Sequence, residues 1–209
     1  MLISRGNLKL GILPSFSLPV ITTCPGKTPF CEQYCFGLRG NFILENVKKA
    51  NDRRLDATLK PDFVDTIVNE VRKTRAPAFR LHVVGDFYTT EYIEKWIEIA
   101  IELTTVIIFG STRSWRCEFL SKTLKEFRDL QNVYLKASVD LTDTLVLPPN
   151  CGWRTWSVEG QGDRCPHDYG LVENCASCRR CWTVRDFDLS FKLRWGNSKH
   201  YHQYSFPLN

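Results

Sequence analysis

No apolar run in the 209 residues approaches the roughly 20 that a membrane-spanning helix needs. The amino terminus, Met1-Leu-Ile-Ser-Arg-Gly-Asn7, lacks the basic-then-apolar order of a secretory leader. Repeats, low-complexity tracts and linker-like stretches are also missing, which sets aside rod-like and disordered architectures. Charge of one sign is scarce. A formal +5, from 28 basic and 23 acidic residues, is no strong nucleic-acid signature. With 43% apolar residues the composition is globular, and the length suits one large domain or a domain with an appendage. The expectation is a soluble chain with no membrane partner, working in the cytoplasm.

What is abundant is cysteine. Nine thiols, an odd number in tight local groups without a leader, argue against a disulfide framework and for metal. Around them runs a rhythm of short apolar strands and amphipathic helices. Phe79–Val84, Thr105–Phe109, Asn132–Ala137 and Trp153–Val158 read as strands, with a first one inside Leu8–Val20. Helical spacing links Phe63, Ile67 and Val71, with Pro61 suited to the first turn. A second helix, Thr90 to Leu103, turns Ile93, Trp96, Ile97, Ala100 and Ile101 to one face. A third, about Trp115 to Arg128, turns Phe119, Leu120, Leu124 and Phe127 inward. The alternation predicts an α/β fold with parallel strands: a partial (βα) barrel of about five to six units over residues 1–150. A cysteine-rich C-terminal extension over 151–209 would follow, ending in the polar-aromatic stretch His200 to Tyr204. Ligands in such folds gather at the carboxyl ends of the strands.

Cys24, Cys31 and Cys35 lie in an irregular loop after the first strand, broken by Pro25, Gly26 and Pro29. A helix from Cys31 onward would bring Cys31 and Cys35 to one face, and its N-terminus would favour thiolates. Three thiolates without a fourth differ from a closed structural zinc site. A cubane iron–sulfur cluster on three cysteines keeps one iron open; a zinc site completed by a distant histidine is the other reading. Cys165, Cys175, Cys178 and Cys181 form a C-x9-C-x2-C-x2-C pattern. Its successive two-residue gaps favour a closed 4Fe–4S cluster over zinc, with a structural or electron-carrying role. Cys117 reads as a small core residue on a helix, and Cys151 as a reserve ligand in place of Cys165.

The segment Cys31–Gly40, then Arg80-Leu-His-Val-Val-Gly-Asp-Phe87, Ser111-Thr-Arg-Ser114 and the late cysteines resemble the phage "gene product 88" domain family. That family is in turn similar to radical S-adenosylmethionine enzymes, whose cluster loop follows the first strand of a partial barrel. Here the gaps between cysteines are six and three residues, and Tyr34 precedes Cys35 as an aromatic does in that superfamily. The resemblance implies two 4Fe–4S clusters, S-adenosylmethionine bound at the open iron, and a reductant such as flavodoxin or ferredoxin. It also implies reductive cleavage to a 5′-deoxyadenosyl radical, and a phage-encoded chain would work in the host cytoplasm.

Gly85 and Asp86 stand where that superfamily carries a Gly-Gly-Glu-like turn against the methionine amino group; otherwise Asp86 caps backbone N–H groups. Arg113, after the third strand, could pair bidentately with the methionine carboxylate, or lie on the surface. Ser138 and Asp140, after the fourth, could reach a ribose, although Asp140 could cap the next segment. Glu159 is a further candidate. His82 reads as a hydrogen-bonded interior histidine or an acid–base group. Seven ligating thiolates and two cubanes in the 2+ state would bring the formal charge to about +2. Basic pairs at Lys48-Lys49, Arg53-Arg54 and Arg179-Arg180 form either a solvated face or a site for phosphates, so the substrate is unknown, with a nucleotide or nucleic acid conceivable. Two other functions fit the same cysteines: a zinc-stabilised binding module and a two-cluster electron-transfer protein.

Overall fold

The computed structural model describes residues 1–140, 143, 147 and 151–193, so the His200 to Tyr204 stretch lies outside the described residues. Three helices, α1 (Pro29–Gln33), α2 (Glu45–Thr58) and α3 (Phe63–Thr74), precede strand β1 (Ala78–Leu81). Then α4 (Thr90–Glu102), β2 (Ile107–Thr112), α5 (Glu118–Asp129) and β3 (Val133–Val139) alternate. After these come β4 (Thr155–Val158), β5 (Asp163–Arg164), α6 (Cys175–Cys178), α7 (Arg180–Thr183) and β6 (Leu189–Phe191). The strands form one mixed-fold α/β sheet in the order β1-β2-β3-β4-β6-β5, and every pair is parallel. The sheet is not closed among the described residues. Among them, too, no helix is long and apolar enough to cross a membrane.

The expected first strand is present as an extended edge segment. The Arg80 N–H donates to the Pro14 carbonyl (2.9 Å) and the Arg80 carbonyl accepts from Phe16 N–H (3.1 Å), a parallel bridge centred on Ser15. Residues after 150 join the same sheet through β4, β5 and β6. The last two are too short to announce themselves as apolar runs.

The pleat sends alternate residues to two different cores. Phe79, Leu81, Ile108, Val133 and Leu135 meet the helices, chiefly Ile67, Ile93, Trp96, Leu120 and Phe127. Ala78, Phe109, Trp156 and Leu189 point the other way, against Leu10, Leu13, Cys165, Trp182 and Phe187. One face therefore carries the helical layer, and the cysteine-rich segment covers the other.

Two inward assignments are corrected. Ile101 is 58% exposed and Phe119 66% exposed. Leu120, Leu124 and Phe127 define the buried stripe of α5, and Phe119 sits one residue, about 100°, around from it. In the same way α4 buries Tyr92, Ile93, Trp96, Ile99 and Ala100, which leaves Ile101 outside. The third helix also starts later than expected, because Trp115 belongs to a 3-10 turn, Ser114–Arg116, ahead of α5.

β1 ends before His82, which takes a left-handed backbone (φ 51°). Its ring is buried against Phe87, Tyr92 and Trp96, with Nε2 2.8 Å from the Tyr92 hydroxyl. Burial, reinforced by the Arg80 charge, pushes the imidazole from 6.5 down to about 3. Between those two values the unfolded chain holds a proton that the folded chain does not. Stability therefore rises with pH across that window and is lost on acidification, at up to ~1.4 kcal/mol per pH unit. His82→Gln should flatten the dependence of Tm on pH between about 4 and 6.5; a slope identical to the parent protein would refute this assignment.

Candidate functional site

The carboxyl ends of β1 and β2 are bound together by one carboxylate. At Asp86, Oδ1 accepts from Phe87 N–H (2.8 Å) and the Thr112 hydroxyl (2.6 Å), and Oδ2 from Arg113 N–H (2.6 Å) and Ser114 N–H (3.1 Å). The Ser114 hydroxyl returns a bond to the Phe87 carbonyl at 2.6 Å. Asp86 thus caps the turn after β2 from the turn after β1. Burial pushes its carboxyl above the ordinary range, and these donors pull it back. Gly85 has φ 77° and no room for a side chain, since a Cβ would stand 2.6 Å from Leu18 Cβ and 2.9 Å from the Thr23 hydroxyl.

Arg113 projects from this turn toward β3. Its Nη1 lies 2.6 Å from Asp140 Oδ2 and 3.2 Å from Asp143 Oδ2, and its Nη2 3.5 Å from Ser138 Oγ. Arg116 pairs with Asp143 as well. The pair Arg113–Asp140 is buried, so it holds charge in a low-dielectric setting where removal of one partner strands the other. Asp86, Arg113, Ser138 and Asp140, four of the residues singled out from the sequence, stand in one polar network with Gly85 at its edge. Glu159 lies elsewhere, and its carboxylate accepts from Leu193 N–H.

The three-cysteine loop is fastened onto the same network. Thr28 caps α1 by accepting from Cys31 N–H (3.0 Å), and its hydroxyl donates to Asp140 Oδ2 (2.9 Å). Gly26 packs so closely on the turn after β2 that a Cβ would come within 2.1 Å of the Arg113 carbonyl oxygen. Cys24, Cys31 and Cys35 are near enough to one another and to Asp86 that the charge of each is felt at Cys24. The shared helix face expected for Cys31 and Cys35 does not form, because α1 ends at Gln33 and Cys35 is extended. Nor does a helix N-terminus lower these thiols. Burial pushes Cys24 up to about 12, and raises Cys31 against the pull of Arg113 and Cys35 against the Gly37 and Leu38 N–H groups. A metal would therefore have to displace protons to bind.

The second thiol group sits over the sheet face opposite the helices. Cys165 follows β5 and donates its N–H to the Ser190 carbonyl (2.9 Å). A capping box at Asn174 starts α6, Cys175 N–H donates to the Lys9 carbonyl (2.7 Å), and left-handed Arg179 separates α6 from α7. These turns bring Cys165, Cys175 and Cys178 near enough to act on the charge of Cys181, which burial pushes up to about 12. Among the described residues no three His, Cys, Asp or Glu side chains stand close enough to chelate a single metal ion. Sulfurs around one zinc lie about 3.8 Å apart, whereas a polynuclear cluster spreads its ligands more widely. The donor chemistry of both groups, all thiol, fits a soft metal centre.

Cationic side chains surround the second group. Lys9 and Arg80 act on Cys175, and Arg80 on Cys181. Lys136 is buried on the same face, its Nζ donating to the Arg185 (2.7 Å) and Phe187 (3.0 Å) carbonyls. Burial lowers it to about 8, opposed by Cys181. Arg80 and Lys136 escaped the sequence reading, as did Thr28 and Asp143. The available signal was a charge alternating with apolar residues inside a strand, and an Asp-x-x-Asp spacing just after one.

The sequence profile described as Gene product 88 matches residues 1–184. The chain belongs to this family. All seven candidate thiols fall inside the family match. The "Gene 88 protein" of Mycobacterium phage D29 is 28% identical over 121 residues, covering 52% of this chain and 50% of that protein. The "Gene 88 protein" of Mycobacterium phage L5 is also 28% identical over 121 residues, 52% of this chain and 51% of that one. The chain thus spans about half the length of these gene product 88 relatives, and no solved structure matches it.

Asp86→Asn tests the frame. An amide would set an NH2 group against backbone N–H or hydroxyl donors, at a cost of about 2–4 kcal/mol. Urea unfolding should register that loss; a variant as stable as the parent would contradict the capping role of Asp86.

Proposed function

We propose that this member of the gene product 88 family is an iron–sulfur enzyme of the radical S-adenosylmethionine type, built on a partial βα barrel. The observation that carries the reading is the gathering of Cys24, Cys31 and Cys35 beside the Asp86–Arg113–Asp140 network, at the carboxyl end of a parallel sheet. That is where such folds bind ligands. The strand succession β1-β2-β3-β4, with the edge segment Pro14–Leu18 ahead of it, is the neighbour order that a barrel requires.

In this reading Cys24, Cys31 and Cys35 hold a 4Fe–4S cluster, and Cys165, Cys175, Cys178 and Cys181 hold an auxiliary one. When bound, the first cluster would pass one electron from the reductant to S-adenosylmethionine, the chemistry that yields methionine and a 5′-deoxyadenosyl radical able to take a substrate hydrogen. The chain's own residues do the holding. Gly85 brings backbone close to the loop, because no side chain intervenes. Asp86 is saturated with donors, so its part is to fix the turn, and its charge remains available to an ammonium only at a distance. Arg113 has Nη1 committed to two carboxylates, so Nη2, 3.5 Å from Ser138 Oγ, is the nitrogen better placed to take a ligand carboxylate. Asp140 and Ser138 would then orient Arg113 and offer oxygen acceptors to a ribose. A flavodoxin- or ferredoxin-like reductant is the partner implied, and the substrate class stays open, a nucleotide or nucleic acid being chemically compatible. With phage relatives, the setting we infer is the host cytoplasm, where thiols stay reduced.

Anaerobically purified, dithionite-reduced protein should give a low-spin iron–sulfur signal in electron paramagnetic resonance that shifts when S-adenosylmethionine is added. Cys31→Ala should abolish the shift and leave a second signal in place. Iron with an unchanged spectrum would leave only an electron carrier, and zinc in place of iron would leave only a metal-stabilised binding module.

A further inference from the structure

Arg80 leaves β1 on the face away from the helices. Its guanidinium lies 4.4 Å from the centre of the Trp156 ring and 5.7 Å from that of Phe109, inside the cluster that also packs Cys165, Cys175 and Cys181. Nη2 donates to the His82 carbonyl at 3.3 Å. Nη1 is buried with no hydrogen-bond partner among the described residues. Cys175 and Cys181 are near enough that, once ionised, their charges would act on Arg80, and among the described residues no carboxylate does so. A half-buried cation held by aromatic rings and one carbonyl, with one nitrogen fully buried and unpaired among the described residues, is an expensive arrangement unless an anion comes to meet it.

Neutral thiols are not that anion. Four thiolates around a 4Fe–4S core in the 2+ state are, with a net charge of about −2. We propose that Arg80 is the counter-ion of the metal-loaded second thiol group, its charge uncompensated when the four cysteines are empty and matched when they hold a cluster. The inference rests on the iron–sulfur reading of Cys165, Cys175, Cys178 and Cys181. It explains why the strand next to the edge carries an arginine between Phe79 and Leu81, both fully buried in the opposite core. It also separates the two thiol groups chemically, since the first stands beside Asp86 and Asp140. Arg80 touches neither substrate nor reacting atoms; it is a positioning residue that acts on the charge of the centre. Reduction adds one electron to that centre, taken from dithionite, and moves no proton or ligand. A fixed positive charge favours the reduced, more negative state, so its removal makes reduction harder.

The test compares the full chain with its Arg80→Met and Arg80→Lys variants, each reconstituted anaerobically with iron and sulfide. Iron is counted, retention is followed against a chelator, and the midpoint potential of the second signal is read by paramagnetic resonance. Arg80→Met should hold iron at the second group about 10-fold or more weakly, with a more negative potential, and keep iron at Cys24, Cys31 and Cys35. Its metal-free form should melt at or above the parent temperature, because an uncompensated charge has gone. Arg80→Lys should retain iron close to the parent level. Unchanged retention and potential in Arg80→Met would overturn the counter-ion role while leaving the iron–sulfur reading intact. Absence of iron at the second group of the parent itself would overturn that reading, and this inference with it. If Arg80→Met does not fold, Arg80→Lys decides: loss of iron despite the kept charge points to shape alone and overturns the proposal.

Discussion

The carboxylate of Asp86 is the constraint on which the described site depends. It takes hydrogen bonds from three backbone N–H groups in the turns after two adjacent parallel strands and from the hydroxyl of Thr112, the last residue of β2. Parallel strands end together on one side of the sheet, so their following turns lie side by side with unpaired N–H groups. A buried carboxylate satisfies several of them at once. That bond set fixes where Arg113 starts, and Arg113 fixes Asp140. Asp140 in turn accepts from Thr28, whose other role is to start the helix containing Cys31. The position of a thiol is thus traceable, bond by bond, to one buried acid. Gly26 against the Arg113 carbonyl closes the same loop from the other side.

The two thiol groups occupy opposite electrostatic settings. Carboxylates face the first, with Arg113 between them; Lys9 and Arg80 face the second. Burial keeps Cys24, Cys31, Cys35, Cys175 and Cys181 protonated at neutral pH, so metal uptake at either group would release protons. In the proposed enzyme the division of labour follows: an open cluster near the strand ends, where a ligand can enter, and a closed one packed over the sheet face. The covering segment Cys165–Cys181 lies against Trp156, Phe109 and Leu189, so metal there would also brace the core.

Much of this arrangement was legible before the structure. Four strands and three helices follow directly from apolar periodicity, because Phe63, Ile67 and Val71, or Leu120, Leu124 and Phe127, can be buried together only on a helix. The cysteine groups were legible as groups, and Asp86, Arg113 and Asp140 as polar residues at strand ends. Orientation was not. Phe119 and Ile101 are apolar yet exposed, since one step along a helix turns a side chain by about 100°. His82 looked like a strand residue because its left-handed backbone is imposed by the pocket of Tyr92 and Phe87, which no local pattern encodes. β6 is held by pairing to β4, and β5 by pairing to β6, rather than by their own composition. Lys136 and Arg80 pass as surface charges until the cysteine-rich segment is seen to cover their face.

The most direct measurement is a count of iron and acid-labile sulfide on anaerobically purified protein. It would be made alongside two variants, one with Cys24, Cys31 and Cys35 changed to alanine and one with Cys175, Cys178 and Cys181 changed. Two cubanes predict about eight irons in the parent chain and about four in each variant, with matching sulfide. Retention of the full count after loss of either thiol group, or zinc without sulfide in the parent, would contradict the account of two separate iron–sulfur centres on one sheet.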